Sequence, residues 1–262
     1  MICLYKMLRL LLFILLWCHV TAERYAYLFF ATSKAHVCAV RSMIHQIKYL
    51  KTRAADFIVI SEEDAYFEDD IIVVGMDAEI LSSNVGYYRH SFQKFQAFKM
   101  TQYDRIIWLD ADSIIMKPID HLFDLPNVSV AAPVANWENE MCVTSALMVI
   151  TPSIEVWNTL ILPNLHKYVN RADMDLLNEI YEHRIGDNRI LPEMLVLPSK
   201  YLTLTTEFTY PEPYNNDKKL WKDVYVFHFS GAYGKPWNIQ LHDKMNENTK
   251  KIYNMYKRSS VC

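Results

Sequence analysis

The stretch 104-DRIIWLDADSIIM-116 sets two carboxylates, Asp110 and Asp112, between two strongly apolar runs. The run 105-RIIWL-109 has the length and composition of a buried strand. Charges at the end of such a strand are costly to fold around unless something is held there. In an extended segment, residues i and i+2 point the same way. Asp110 and Asp112 could therefore share one hard cation, Mg²⁺ or Mn²⁺, both of which take oxygen ligands. A purely structural use of the same residues, an Asx turn or a cap after the strand, stays open at this point.

Working outward, further strand-like runs lie at 25-YAYLFFA-31, 56-DFIVI-60, 70-DIIVVGM-76, 128-VSVAA-132, 145-SALMVI-150 and 224-VYVFHF-229. Several are apolar throughout rather than alternating, as in a sheet covered on both faces. Helical patterns lie between them. Over 35–51, Val37, Val40, Ile44 and Ile47 share one face. Over 91–103, Phe92, Phe95 and Phe98 recur three apart behind Ser91, a candidate N-cap. Further helices are predicted at 153–162, ended by Pro163, and at 172–184 and 243–258. This alternation predicts a doubly wound α/β sheet in one domain. Such sheets bind ligands at the carboxyl ends of their strands, which is where Asp110 and Asp112 sit.

A second cluster follows the run 224–229. In 228-HFSGAYGKPW-237, His228 could add a nitrogen to the two carboxylates, and Lys235 is a point charge suited to a phosphate. Two of the chain's five glycines fall here, and glycine lets backbone approach a ligand closely. A turn with a buried histidine and a Pro-Trp packing corner would use the same residues without chemistry. Together the two clusters describe a metal clamped to a diphosphate.

At this point the chain resembles glycosyltransferase family 8, the retaining, glycogenin-like transferases with a GT-A fold. The resemblance runs from about Tyr25 to Trp237. Its densest part is 94-KFQAFKMTQYDRIIWLDADSIIMKPIDHLF-123, and it continues in 144-TSALMVITPS-153, 173-DMDLLN-178 and the H-F-x-G…K-P-W set. The resemblance implies a single GT-A, Rossmann-like α/β domain with a mixed central sheet. It implies Mn²⁺, or Mg²⁺, bound by Asp110, Asp112 and His228 and bridging the diphosphate of a UDP-sugar. Thr32 would lie near the nucleotide, with Ser33, His36 and Ala111 beside the same ligand. Lys94 would contact the donor sugar or its phosphate. Thr144, Ser145 and Asp173 would line the sugar pocket, and Gly231 and Lys235 would close over the phosphates. Asp173 and Lys94 are the implied catalytic pair, with Asp173 positioning sugar hydroxyls during a same-face substitution.

The departures from the family pattern fall in the sugar pocket. Thr144 stands for its Asn and Ala146 for the Gly that follows, while Met174 and Asp175 replace its Gln and Gly. The metal and diphosphate parts are kept. The form D-M-D-L-L-N, with Glu207-Phe208, is similar to fungal-type N-acetylglucosaminyltransferases of the family. The resemblance thus implies transfer of GlcNAc or glucose to a glycan, glycolipid or protein acceptor. Two other readings use the same residues. One is a catalytically degenerate nucleotide-sugar-binding protein, which the changes at Thr144 and Met174 keep open. The other is a haloacid-dehalogenase-type phosphatase with Asp110 as nucleophile, which leaves 228–237 unexplained.

The N-terminus carries Lys6 and Arg9, an apolar run from Leu10 to Trp17, then Val20-Thr21-Ala22. This is the pattern of a secretory signal peptide over 1–22, or of a short anchor, ahead of a catalytic domain over 23–262. It predicts the secretory pathway, in the Golgi or ER lumen or outside the cell, with membrane association only through the N-terminus. Asn127-Val128-Ser129 is then an N-glycosylation sequon. Beyond the leader, Cys38, Cys142 and Cys262 allow at most one internal disulfide. A formal net charge of -3 argues against a nucleic-acid partner, which calls for a basic stripe.

Overall fold

The computed structural model describes residues 23–61, 67–80, 82–84, 86, 89–138, 142–167, 170–181, 194–208, 223–229, 234–238, 245 and 247–261. The leader reading of 1–22 and the assignment to Gly231 lie outside the described residues. The chain runs through β1 (Tyr25–Ala31), α1 (Lys34–Leu50), β2 (Asp56–Ser61), β3 (Ile71–Val74), β4 (Arg105–Leu109), β5 (Ser113–Ile115), β6 (Val130–Pro133) and β7 (Leu147–Ile150). It continues through helix α2 (154–167), α3 (Asp173–Tyr181), β8 (Met194–Leu197), β9 (Thr203–Leu204), β10 (Val226–His228) and α4 (Glu247–Ser259).

Seven strands form one sheet in the order β3-β2-β1-β4-β7-β6-β8. β3, β2, β1 and β4 are parallel neighbours, whereas β7 runs antiparallel to both β4 and β6. The sheet is therefore mixed, as the family resemblance implies. Chain order reverses between β1 and β4, because β1 leads to β2 on one side and β4 sits on the other. The crevice beyond that switch point is flanked by Thr32 after β1 and Asp110 after β4.

Continuous apolar runs work here because both faces are covered. Along β1, Ala26 and Leu28 join one core, and Tyr27 and Phe29 join the other. Along β4, Ile106 and Trp108 face the first core and Ile107 and Leu109 the second. α1 covers the second face with Val40, Met43, Ile44 and Ile47. Its N-cap is Ser33, whose hydroxyl accepts from His36 N–H at 3.3 Å. A smaller sheet, β5-β10-β9, lies against α4 and forms a third cluster around Phe227, Phe229, Tyr253 and Tyr256.

Two helical expectations are corrected. The segment Ser91–Lys99 is a 3-10 helix, not an α-helix, and His90 rather than Ser91 precedes it without a side-chain cap bond. Three residues per turn suits this sequence, because Phe92, Phe95 and Phe98 then stack along one face, all fully buried. Ser91 and Lys94 stack along another face. The second correction is Pro163, which does not end its helix. A π turn, Trp157–Ile161, precedes it, and the α-helical segment Leu162–Lys167 contains it at its second position. Within this continuous helix the proline does remove one backbone hydrogen bond, and the wider π turn just ahead of it is where the ladder adjusts. β5, β8 and β9 also go beyond the sequence expectation, being only two to four residues long.

Candidate functional site

The small sheet brings the two sequence clusters together. β10 pairs antiparallel with β5 so that His228 faces Ser113, and Phe229 N–H donates to Asp112 C=O at 2.8 Å. Residues 116 positions apart in the chain thus become neighbours. His228 Nε2 lies 3.1 Å from Asp112 Oδ1 and 3.9 Å from Asp110 Oδ2. One ligand atom from each of the three residues falls within 4.8 Å of the others. Nδ1 of His228 is buried and has no hydrogen-bond partner among the described residues. The polar contacts of the ring therefore run through Nε2, toward the carboxylates.

Each carboxylate is also paired with a lysine. Lys235 Nζ pairs with Asp112 Oδ2 and lies 3.3 Å from Phe229 O. Burial alone would raise the pKa of Asp112. His228 and then Lys235 outweigh burial and hold the carboxyl well below the usual range. On the other side, Lys94 Nζ lies 3.1 Å from Asp110 Oδ1 and 2.5 Å from Asp173 Oδ2. Burial would discharge Lys94, but Asp110 and Asp173 overcome it and hold the ammonium above its ordinary pKa. Asp173, buried at the start of α3, is lowered by Lys94 and Ser145 against the opposing effect of burial. Trp108, two residues before Asp110, points the same way and donates its indole N–H to Asp110 Oδ1 at 2.8 Å.

These residues open onto a cavity of about 930 Å³. Thr32, His36, Lys94, Asp110, Ala111, Asp112, Asp173, His228 and Lys235 all line it. His36 Nδ1 lies 2.7 Å from Thr32 Oγ1, and burial lowers its pKa toward the neutral form. Its ring meets Trp237 edge-on, with centroids 5.0 Å apart. Three nominated residues stand behind the wall instead. Ser33 caps α1. Ser145 donates to Asp173 Oδ2 at 2.5 Å and offers its carbonyl to Lys94 at 3.2 Å. Thr144 is 2 % exposed, and its hydroxyl accepts from Ala146 N–H at 3.2 Å. Sequence reasoning missed Trp108, Arg89 and His90 on the wall. Trp108 was discoverable, since its i,i+2 relation to Asp110 is the one that joins Asp110 to Asp112. Arg89 and His90 carry no such periodic signal.

No family model matches the chain. Glucose N-acetyltransferase 1 of Aspergillus fumigatus is 30% identical over 258 residues, covering 82% of this chain and 65% of that protein. Glycogenin-1 of Caenorhabditis elegans is 25% identical over 229 residues, covering 81% and 51%. The chain belongs to glycosyltransferase family 8, the glycogenin-like proteins. Its GT-A fold is shared with the galactosyltransferase LgtC, solved in complex with donor and acceptor sugar analogs. That structure superposes with a TM-score of 0.62 at 12% identity, over 90% of this chain and 96% of that one. Family 8 membership overturns the phosphatase expectation for Asp110. Its carboxylate is tied up by Trp108 and Lys94 and faces His228, a ligand-like setting rather than that of a lone nucleophile. The chain spans between 18% and 65% of the length of the curated relatives it matches.

Proposed function

We propose that this protein is a metal-dependent retaining glycosyltransferase that moves a hexose or N-acetylhexosamine, GlcNAc or glucose, from a UDP-sugar to a glycan, glycolipid or protein acceptor. Convergence of Asp110 and Asp112, from the connection between β4 and β5, with His228 of β10, flanked by Lys94 and Lys235, supports this most strongly. Two carboxylates and one imidazole are a donor set that suits Mn²⁺ and, less fully, Mg²⁺. When bound, such a cation offsets the negative charge that grows on the leaving diphosphate.

The protein's own groups have distinct tasks in this reading. Lys235 supplies a positive charge that can be handed from Asp112 to a phosphate oxygen. His36, neutral and fixed by Thr32, offers its ring edge and Trp237 as a wall for the nucleotide. Asp173 has one carboxylate oxygen held by both Lys94 and Ser145. A carboxylate so restrained fits the orienting of sugar hydroxyls better than in-line attack on the anomeric carbon, which favours same-face substitution. Lys94 keeps Asp173 ionised and pairs with Asp110 to hold both carboxylates in place. Thr144 is turned to its own backbone, so the identity of the sugar is set by the groups that do face the cavity. Entry into the secretory lumen accords with the leader pattern and with the exposed Asn127 of the sequon.

The experiment is a donor screen with purified protein and Mn²⁺. UDP-GlcNAc, UDP-glucose, UDP-galactose and UDP-glucuronate are each tested for donor cleavage. One donor should be turned over, with loss of turnover on chelation and in Asp112→Asn. Turnover that persists in Asp112→Asn with its fold intact would defeat the proposal.

A further inference from the structure

Lys235 must be held at a set distance from Asp112 if it is to exchange between that carboxylate and a phosphate. β10 stops at His228, and Lys235 follows only seven residues later. Besides its own contacts to Asp112 and Phe229 O, a contact to the residue just before it comes from the other end of the chain. Tyr253 of α4 is 1 % exposed, and its hydroxyl donates to the carbonyl of Gly234 at 2.7 Å. The ring of the same tyrosine packs edge-on against Phe229, with centroids 4.7 Å apart. One side chain therefore touches both flanks of 230–233. Gly234 sits at φ +77, a left-handed conformation that glycine tolerates, and a Cβ there would meet Asn238 O at 3.1 Å. The carbonyl that Tyr253 holds thus belongs to the residue that turns the chain into Lys235.

α4 is itself fixed to the frame of the metal ligands. Gln46 of α1 donates from Nε2 to Ser259 Oγ at 2.7 Å and accepts at Oε1 from Ile115 N–H at 3.0 Å. Ile115 belongs to β5, which begins one residue after Asp112. Val261 N–H also donates to Ser42 Oγ of α1 at 3.1 Å. β5, α1 and α4 are thereby linked as one body, and Phe229 N–H closes the loop onto Asp112 C=O.

We infer that Tyr253 is a positioning residue for nucleotide-diphosphate binding: through Gly234 it sets Lys235 relative to Asp112. This rests on the donor reading above. Tyr253→Phe keeps the ring on Phe229 and removes only the hydroxyl, so it isolates the hydrogen bond. The probe is UDP with Mn²⁺, its dissociation constant measured by titration calorimetry. Loss of one neutral hydrogen bond predicts weakening of about 5- to 10-fold in Tyr253→Phe. Tyr103→Phe is the matched control. It also removes a buried hydroxyl's bond, to Asp56 at the amino end of β2, and should leave UDP affinity within about 2-fold. In a Lys235→Ala background, Tyr253→Phe should add no more than about 2-fold, because both changes act on one group. Unchanged UDP affinity in Tyr253→Phe would overturn the inference. So would an equal loss in Tyr103→Phe, or an undiminished effect of Tyr253→Phe when Lys235 is absent. No binding of UDP by the unsubstituted protein would instead remove the donor reading, and this inference with it.

Discussion

Asp110 and Asp112 face one ligand position across the bend at 111–112 that joins β4 to β5, so the pairing is legible in the letters D-A-D but the bend that makes it is not. His228 is legible only as a candidate, since nothing local says which strand β10 pairs with. The antiparallel register with β5 supplies the answer. Lys94 is the most heavily engaged side chain at the site, with Asp110 on one side and Asp173 on the other. Lys94→Met would leave two carboxylates without their buried partner. A loss of about 3–5 kcal/mol is expected near neutral pH, measured by urea unfolding. The pH dependence has a definite sign. The folded pKa of Asp173 is depressed, so its ion pair stabilises above the ordinary carboxylate pKa, about 4, and that contribution fades as pH falls below it. The penalty of Lys94→Met should therefore shrink in acid. A penalty that stayed constant from pH 7 to pH 3 would show that the charge pair is not its source.

At the scale of elements, long apolar runs announced themselves and short ones did not. β1, β2, β4 and β7 are buried on both faces, and an uninterrupted apolar run has few other uses. β5 and β9 are three and two residues long and take their identity from pairing with β10, which no window on the sequence can see. The segment around Phe95 was readable as helical, but its kind was not, because a three-residue spacing also fits one face of an α-helix. Its 3-10 form turns all three phenylalanines into the core while Lys94 faces the cavity. Phe95→Ala should cost about 3–5 kcal/mol and lower the midpoint of thermal unfolding by several degrees. Since the same segment carries Lys94, UDP affinity should fall with it at temperatures well below that midpoint. Full stability in Phe95→Ala would mean that this face is not packed as described. Pro163 shows the opposite kind of failure, where a sound local rule yields to a π turn just ahead of it.

Across the whole molecule, the site lies where strand order reverses, and the chain's two ends of chemistry meet there. The D-A-D segment joins β4 of the main sheet to β5 of the small one, the histidine comes from β10 of the small sheet, and a contact beside Lys235 comes from α4. The sugar pocket was the least readable part. Thr144 and Ser145 were nominated to line it, and both stand one layer back. Side-chain direction at the end of β7 depends on its antiparallel partner β4 and on α3, not on its own letters. Disulfide usage was bounded but not assigned by counting: Cys38 is disulfide-bonded and Cys142 is a half-buried thiol.

The central claim is that Asp110, Asp112 and His228 hold a divalent cation on which a nucleotide diphosphate is bound. Electron paramagnetic resonance of Mn²⁺ tests it most directly, since free Mn²⁺ gives a sharp signal that is lost on binding. Titrating Mn²⁺ into the protein with UDP should remove about one equivalent of free signal. Asp112→Asn, with its secondary structure unchanged by circular dichroism, should leave that signal in solution. Equal Mn²⁺ uptake by the two proteins would contradict the account.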